Sequence, residues 1–453
     1  MAVTFDLELI RKYGGRGPRY TSYPTAVQFH EGISAERHEA LLKRSNASER
    51  PLSLYVHVPF CHSLCYYCAC TKIITRKPAR AERYLEVLKQ EIRLYEGLMD
   101  DGRDVTQLHF GGGTPTYFSL AQIEDLLSAM DHQFGLSRDG NREYSIEIDP
   151  RTVSPDDPSR WAELGFNRVS LGVQDFDPRV QQAVNRIQSF EDTNRLVTAA
   201  RNAGFGSISL DLIYGLPHQT VESFASTLDQ VLTIRPERLA VYSYAHLPQM
   251  FRAQRLINQD DVPPPDTRLA LMGLTIERLT DAGYVYIGMD HFALPGDELV
   301  QARADGSLQR NFQGYSTRAR ADLVGLGMSS ISDLGVAYTQ NIKTLRDYEE
   351  TVQSGRLPLW RGVELDDDDV LRRQVINRLM CFGEIRFADL DVNFAEYFGA
   401  ELEALKSLET DGLVTIESDR ISVTDRGQLL LRSIAMTFDR YLGMGEARHS
   451  KVI

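Results

Sequence analysis

The sequence predicts an α/β fold: an incomplete parallel (β/α) barrel with an irregular N-terminal segment and a mostly helical C-terminal domain carrying a small hairpin. Three observations predict it. Short β-type runs alternate with amphipathic helical runs from about residue 52, glycine or proline punctuates nearly every junction, and polar residues close most of the strand candidates. Strands alternating with helices place a parallel sheet inside and helices outside. Six or seven such units suit a curved, incomplete barrel better than a flat two-sided sheet, and in parallel barrels the functional groups sit where strands end.

Residues 1–45 show neither a helical nor a strand period around their core GGRGPRYTSYPTA. Tyr20, Tyr23 and Arg19 lie so close together that the segment is expected to pack on something and to cover the mouth of the barrel. The opening MAVTFDLELIRKYGG has no basic stretch followed by an apolar core, so no secretory signal is expected. Residues 46–360 carry the barrel. Its strand candidates are 52–58, 105–110, 143–149, 168–174, 207–215, 238–247 and 284–290. Between them lie runs such as AERYLEVLKQEIRLYEGLM, SLAQIEDLLSAMDHQF and SFASTLDQVLTI, with apolar residues at three- and four-residue steps. Residues 361–453 change character. LDDDDVLRRQVINRLMC and NFAEYFGAELEALKSLETDG read as helices, LVTIESDRISVTDRG as a hairpin and QLLLRSIAMTFDRYL as a final helix. The order resembles a winged helix, but no basic stripe marks a DNA reader, so a lid or docking module is expected.

The 453 residues suffice for roughly two to three domains. A net charge of −13 argues against nucleic acid as the main partner, while leaving room for an acidic small molecule held by locally gathered arginines. No run approaches the ~18 apolar residues that span a bilayer, so no membrane partner is expected. Four of the five cysteines share one loop, which fits a reducing cytoplasm rather than a disulfide scaffold. Cys381, alone in VINRLMCF, reads as a buried core thiol. No exposed apolar repeat stands out, and a monomer is expected.

The strongest signal is HVPFCHSLCYYCACTK, where Cys61, Cys65 and Cys68 have the spacing C-x3-C-x2-C and Cys70 follows. Three thiolates on one tight loop can hold a four-iron cluster and leave one iron open to a ligand. The competing reading is a structural zinc site, which the compact spacing and the missing second cysteine pair disfavour. HFGGGTPT follows a strand directly, and its glycines allow a ligand close to the backbone; alone it reads equally as a tight turn. Beside the cysteines, such an edge can bind the ammonium of an amino-acid-like ligand. Glu147 ends a strand whose alternation puts Ile146 and Ile148 on the other side, where a carboxylate can accept ribose hydroxyls or form a salt bridge. Arg186 is a candidate counter-ion for a carboxylate, or a surface arginine. Asp211 sits between two leucines, and a buried charge needs a partner; Gln174 occupies an equivalent strand end.

Taken together, YVHVPF with the cysteine loop, GGGTPT, SIEIDP, SLGVQDF and DLIYGLP resemble a radical S-adenosylmethionine enzyme. The fourth cysteine, GPRYTSYPTA, VNRIQ, IGMDHFA and RNFQGYSTR narrow the resemblance to the oxygen-independent coproporphyrinogen III oxidases, over nearly the whole chain. Ala69, where a glycine is familiar, and Thr71 depart from the pattern without altering a ligand. The resemblance implies that Cys61, Cys65 and Cys68 ligate a [4Fe–4S] cluster, with Cys70 close by but not a ligand. It implies two molecules of S-adenosyl-L-methionine, one on the open iron. Tyr55, Tyr67, Gly112, Gly113, Thr114, Glu147 and Arg186 then fall near the first, and Gln174, Asp211, Ala245 and Ile331 map to nucleoside and second-ligand contacts. Phe312 and Gln313 map to the inner pocket, making them catalytic candidates with Cys70. The implied reaction turns two propionates of coproporphyrinogen III into vinyl groups through a 5′-deoxyadenosyl radical, with an external one-electron reductant and an unidentified electron acceptor. Four substrate carboxylates call for arginines or lysines, and Arg19, Lys72 and Arg310 are the candidates. The rival readings are a haem chaperone or a haem-degrading relative of the same fold, and a zinc protein with a nucleic-acid-binding tail. Cys70 and the N-terminal segment favour the oxidase.

Overall fold

The structure is a computed structural model that describes residues 3–99, 102–319 and 321–443. The chain forms two compact units. One comprises Phe29–Thr267 and Arg320–Glu364, the other Met1–Gln28, Arg268–Ala319 and Leu365–Ile453. This division differs from the three consecutive segments expected. Residues 29–45 join the barrel through the helix Ala35–Asn46, capped by Ser34, and the His30–Gly362 backbone bridge. Residues 268–319 instead lie with the C-terminal domain.

The first unit is built on a sheet. Its strands are β1 (Leu52–Val58), β2 (Val105–Gly112), β3 (Glu143–Ile148), β4 (Arg168–Gln174), β5 (Ser207–Tyr214) and β6 (Arg238–Ser243). They pair parallel in that order. β7 (Asp322–Leu326) lies parallel to β1 on its other side. Beyond it run β8 (Ile331–Asp333), β9 (Ala337–Asn341) and β10 (Leu359–Glu364), all antiparallel. The expected seventh parallel strand at 284–290 is therefore corrected. The strand is present as Val285–Gly288, but it pairs antiparallel with His291–Ala293 in the other unit, while a parallel strand not expected, β7, lies beside β1. The chain turns back within a few residues at 289–290, so these two strands can pair only antiparallel.

Alternation decides what each face carries. Leu54 and Val56, Leu108 and Phe110, and Ile146 and Ile148 are buried on one face. The opposite face presents Tyr55, His57, His109, Gly111, Ser145, Glu147 and Asp211. The connecting helices start where capping residues stand. Ser119 and Gln122 form a capping box for Leu120–Phe134, and Thr220 with Ser223 does so for Val221–Ile234.

The second unit has a core of Val375, Ile376 and Leu379 from the helix Asp367–Phe382, with Leu405, Ile421 and Phe438. Asp366 caps that helix and Gly383 ends it in the left-handed conformation. The strands Glu384–Arg386, Arg420–Val423 and Val414–Ile416 form a three-stranded antiparallel sheet, one strand more than the hairpin expected. The final helix is short, Leu431–Ala435, with 3-10 turns on both sides.

The N-terminal segment is not irregular throughout. Asp6 caps a helix over Leu7–Tyr13 by accepting the Glu8 and Leu9 N–H groups. Tyr20 and Tyr23 are buried in the second unit's core. The Tyr20 hydroxyl donates to Asp439 at 3.0 Å, and the Arg440 N–H donates to the Tyr23 oxygen at 3.0 Å. Cys381 is the buried thiol expected, and burial raises its pKa to about 12.

Candidate active site

The cysteine loop leaves β1 and is tied to the far side of the barrel by hydrogen bonds to its main chain. Tyr66 N–H donates to the Val184 carbonyl at 3.0 Å, Asn185 Nδ2 to the Leu64 carbonyl at 2.7 Å, and Gln254 Nε2 to the Tyr67 carbonyl at 2.9 Å. Lys72 closes the loop from below, with Nζ donating to the Cys68 carbonyl at 2.9 Å and the Cys70 carbonyl at 3.4 Å. Lys72 is thereby engaged within the loop rather than left for a substrate carboxylate.

Each expected ligand meets a donor. Cys61 Sγ accepts from Thr114 Oγ1 at 3.4 Å. Cys65 Sγ accepts from Arg151 Nη2 and Arg186 Nη1, both at 3.4 Å. Cys68 shares a hydrogen bond with Cys70 that lowers the Cys68 pKa and raises that of Cys70. Burial raises Cys61 to about 11. Three sulfurs on one loop, with Arg151, Arg186 and Lys72 beside them, suit the donor chemistry of a cluster whose ligands are thiolates.

The glycine edge works by close approach. A Cβ on Gly112 (φ +110°) would lie 2.6 Å from the His57 ring, and one on Gly113 would lie 2.7 Å from the Pro59 backbone. The Gly113 N–H donates to the Val58 carbonyl at 2.8 Å and the Gly112 N–H to Glu147 Oε2 at 3.3 Å. Both amides are satisfied within the protein. His57 is fixed between Tyr55 and the loop. Its Nδ1 lies 3.1 Å from the Tyr55 hydroxyl and its Nε2 3.0 Å from the Thr71 carbonyl, which sets Nε2 as the protonated nitrogen.

Glu147 stands on the open face with 43% of its side chain accessible. Burial opposes its charge, but a 3.0 Å contact with His109 Nε2 and the Gly112 N–H outweigh burial and hold its pKa below the usual carboxylate range. His109 is held in turn by Ser145 and stacks on Tyr55 at 5.8 Å between centroids. Asp211 behaves oppositely. Burial, then the Glu147 charge, raises it to about 7 although Ser170 donates to it at 3.2 Å. Two neighbouring carboxylates driven apart in this way are a recurrent mark of a functional site.

Arg186 is buried, and Nε donates to the Gly172 carbonyl at 3.1 Å. A Cβ at Gly172 would fall between Gln174 Nε2 and Arg186 Nη2, at 2.8 and 2.9 Å. Gln174 itself adopts φ +69°. Ala245 is exposed after β6, its carbonyl bonded to the same Gln254 that holds Tyr67. Ile331 packs its backbone against Gly325, the register partner of Tyr55. Phe312 and Gln313 lie apart from these residues in the chain's division, in the turn of the hairpin Gln309–Asn311 and Gly314–Ser316 of the second unit.

Sequence reasoning missed His109, Ser145 and Arg151. Strand alternation could have placed His109 and Ser145 beside Glu147 and Tyr55. Arg151 follows β3 in IDPRT, and only the fold brings it to Cys65, 86 positions away.

Residues 55–231 match the Radical SAM superfamily and residues 365–430 the HemN C-terminal domain. The oxygen-independent coproporphyrinogen III oxidase of Pseudomonas aeruginosa is 49% identical over 100% of this chain and 99% of its own. That of Escherichia coli is 48% identical over 97% and 96%. The solved structure described as coproporphyrinogen III oxidase (HemN) from Escherichia coli, a radical SAM enzyme, superposes with a TM-score of 0.92 at 46% identity, covering 98% of this chain and all of that one. With its cysteine loop, its parallel sheet and relatives alike along their whole length, the chain belongs to the oxygen-independent coproporphyrinogen III oxidases of the radical SAM superfamily.

Proposed function

We propose that this chain carries out the oxygen-independent oxidative decarboxylation of two propionates of coproporphyrinogen III, giving protoporphyrinogen IX, and that the residues gathered on β1–β5 do the work. The observation that carries the reading is the cysteine loop with a cation or hydroxyl donor at its sulfurs, facing the Glu147–Asp211 pair. When bound, the [4Fe–4S] cluster and S-adenosyl-L-methionine supply a 5′-deoxyadenosyl radical that removes hydrogen from the propionate β-carbon, after which CO2 and one electron leave.

Cys61, Cys65 and Cys68 hold the cluster. Thr114, Gly112 and Gly113 shape the edge for the methionyl ammonium, and Arg186 meets its carboxylate. Glu147, kept ionised by His109, accepts from ribose hydroxyls, with Tyr55 and Tyr67 as walls. Gln174, Asp211, Ala245 and Ile331 extend this surface toward a second S-adenosyl-L-methionine. Cys70, Phe312 and Gln313 serve the substrate. Among the candidate cations, Arg310 best suits a substrate carboxylate. It is buried, its Nε donates to the Arg19 carbonyl at 3.1 Å, and its Nη1 has no hydrogen-bond partner. Arg19 is engaged by Asp290. The enzyme acts as a cytoplasmic monomer with an external one-electron reductant and a separate electron acceptor. No described helix is long and apolar enough to cross a membrane.

The test is an anaerobic assay with reconstituted chain, dithionite, S-adenosyl-L-methionine and coproporphyrinogen III. Formation of 5′-deoxyadenosine with a divinyl product is expected. A Soret band on adding haem, with no conversion, would transfer the chain to the haem-handling relatives.

A further inference from the structure

The cluster loop carries one contact that the binding of S-adenosyl-L-methionine does not require. Arg151 follows β3, and its side chain is mostly buried, 17% exposed. Its Nε lies 2.9 Å from Asp149 Oδ1, and its Nη2 lies 2.6 Å from Asp149 Oδ2 and 3.4 Å from Cys65 Sγ. Nη1 donates to the Asn185 carbonyl at 3.3 Å, and Asn185 itself holds the Leu64 carbonyl. Every arm of the guanidinium is therefore fixed, and one of them points at a ligand sulfur. Asp149 is bonded at the same time to Arg186, 3.3 Å away. The arrangement is an Arg–Asp–Arg bracket with both cations on one thiolate.

We infer that Arg151 is a positioning residue that sets the reduction potential of the cluster through Cys65, and that Asp149 limits how far the two arginines raise it. The physical basis is general. Hydrogen bonds to ligand sulfurs and net local charge are among the levers that set iron–sulfur potentials. A cation on a ligand sulfur stabilises the reduced cluster, which carries one more negative charge, more than the oxidised one. Burial makes the effect large, because water screens little there. Arg186 is the residue proposed for the methionyl carboxylate, so Arg151 is the donor dedicated to the sulfur. The inference rests on the cluster assignment proposed above.

Two substitutions separate this role from a structural one because they predict opposite signs. Arg151→Gln removes a cation and should make the cluster harder to reduce, with a several-fold lower ratio of reduced to oxidised cluster at a fixed poised potential. Asp149→Asn removes the anion between two cations and should make it easier to reduce. The experiment is a dithionite titration of anaerobically reconstituted full-length chain followed by electron paramagnetic resonance, with iron and sulfide measured on each sample. Equal midpoints in all three proteins, or shifts of the same sign in both variants, would overturn the inference. If Arg151→Gln fails to hold iron, the inference is decided by Asp149→Asn alone, where an unshifted or lowered midpoint overturns it. Wild-type chain that binds no iron and sulfide would instead sink the cluster assignment itself.

Discussion

Glu91 and Glu147 are both carboxylates of the sheet unit, and their surroundings differ in the one respect that matters. Glu91 is fully buried and both its oxygens are bonded. It accepts from the Tyr348 hydroxyl at 2.6 Å, Asn341 Nδ2 at 2.7 Å and the Gly327 N–H at 2.8 Å. Glu147 accepts from two groups and keeps a large part of its side chain accessible. Burial still raises Glu91 to about 7, whereas Glu147 is held below its usual range. A buried carboxylate with both oxygens bonded by its own chain joins elements. A carboxylate kept charged with positions to spare waits for a ligand. Substitutions should therefore split, with Glu91 and its partners costing stability and the Glu147 side costing binding.

The sharpest split is at the cysteines. Cys61→Ala should abolish cluster assembly and all turnover while leaving the urea midpoint of the metal-free chain unchanged, checked by iron and sulfide analysis; full iron content would remove Cys61 from the ligand set. Glu91→Ala should leave the buried Tyr348 hydroxyl and Gly327 N–H without their acceptor, at a cost of about 3 kcal/mol in urea unfolding. Its pH dependence follows from its shift. The folded value, about 7, lies above the unfolded 4.5, so its contribution is full below about pH 4.5 and is lost as pH rises to about 7. The wild type should thus lose about 3 kcal/mol more than Glu91→Gln across that window. Parallel pH slopes in the two proteins would contradict the assignment. Glu147→Gln should weaken S-adenosyl-L-methionine binding by roughly tenfold or more with no change in stability, measured by equilibrium binding to reconstituted enzyme. The smallest effect is expected at the other cysteine. Cys381→Ala opens a small void beside Asn377 and should cost about 1 kcal/mol, with iron content unaltered.

Much of this contrast can be read from the sequence on one side only. Glu147 was legible because strand alternation puts it opposite Ile146 and Ile148 near a strand end, and the cysteine spacing carries its chemistry locally. β1 and β4 appear at the residues the pattern predicts, because both are apolar runs bounded by turns. Glu91 was not legible. It sits in an ordinary helical pattern, LKQEIRLYE, and its partners lie 236 to 257 positions away. β8 and β9 escaped for a related reason: ISD and AYTQN are short and polar, and they become strands through pairing with neighbours rather than through their own periodicity. The Leu7–Tyr13 helix was missed although Asp6 offered a cap, because seven residues give too little period to read. Tyr20 and Tyr23 were rightly expected to pack on something, but they face into the second unit's core.

The anchoring of the cysteine loop has a consequence for how the protein is loaded. Hydrogen bonds from the Tyr66 N–H to the Val184 carbonyl, from the Asn185 side chain to Leu64 and from the Gln254 side chain to Tyr67 hold the loop from two distant points of the chain, and none of them involves a sulfur. A small zinc domain spends its metal's affinity on folding, because without the ion it has no shape. Here the scaffold already has one, so delivery of iron and sulfide becomes a late insertion into a finished receptacle. Chain made under iron starvation should accumulate as a folded, protease-resistant reserve that turns into enzyme once iron arrives, with no new protein synthesis.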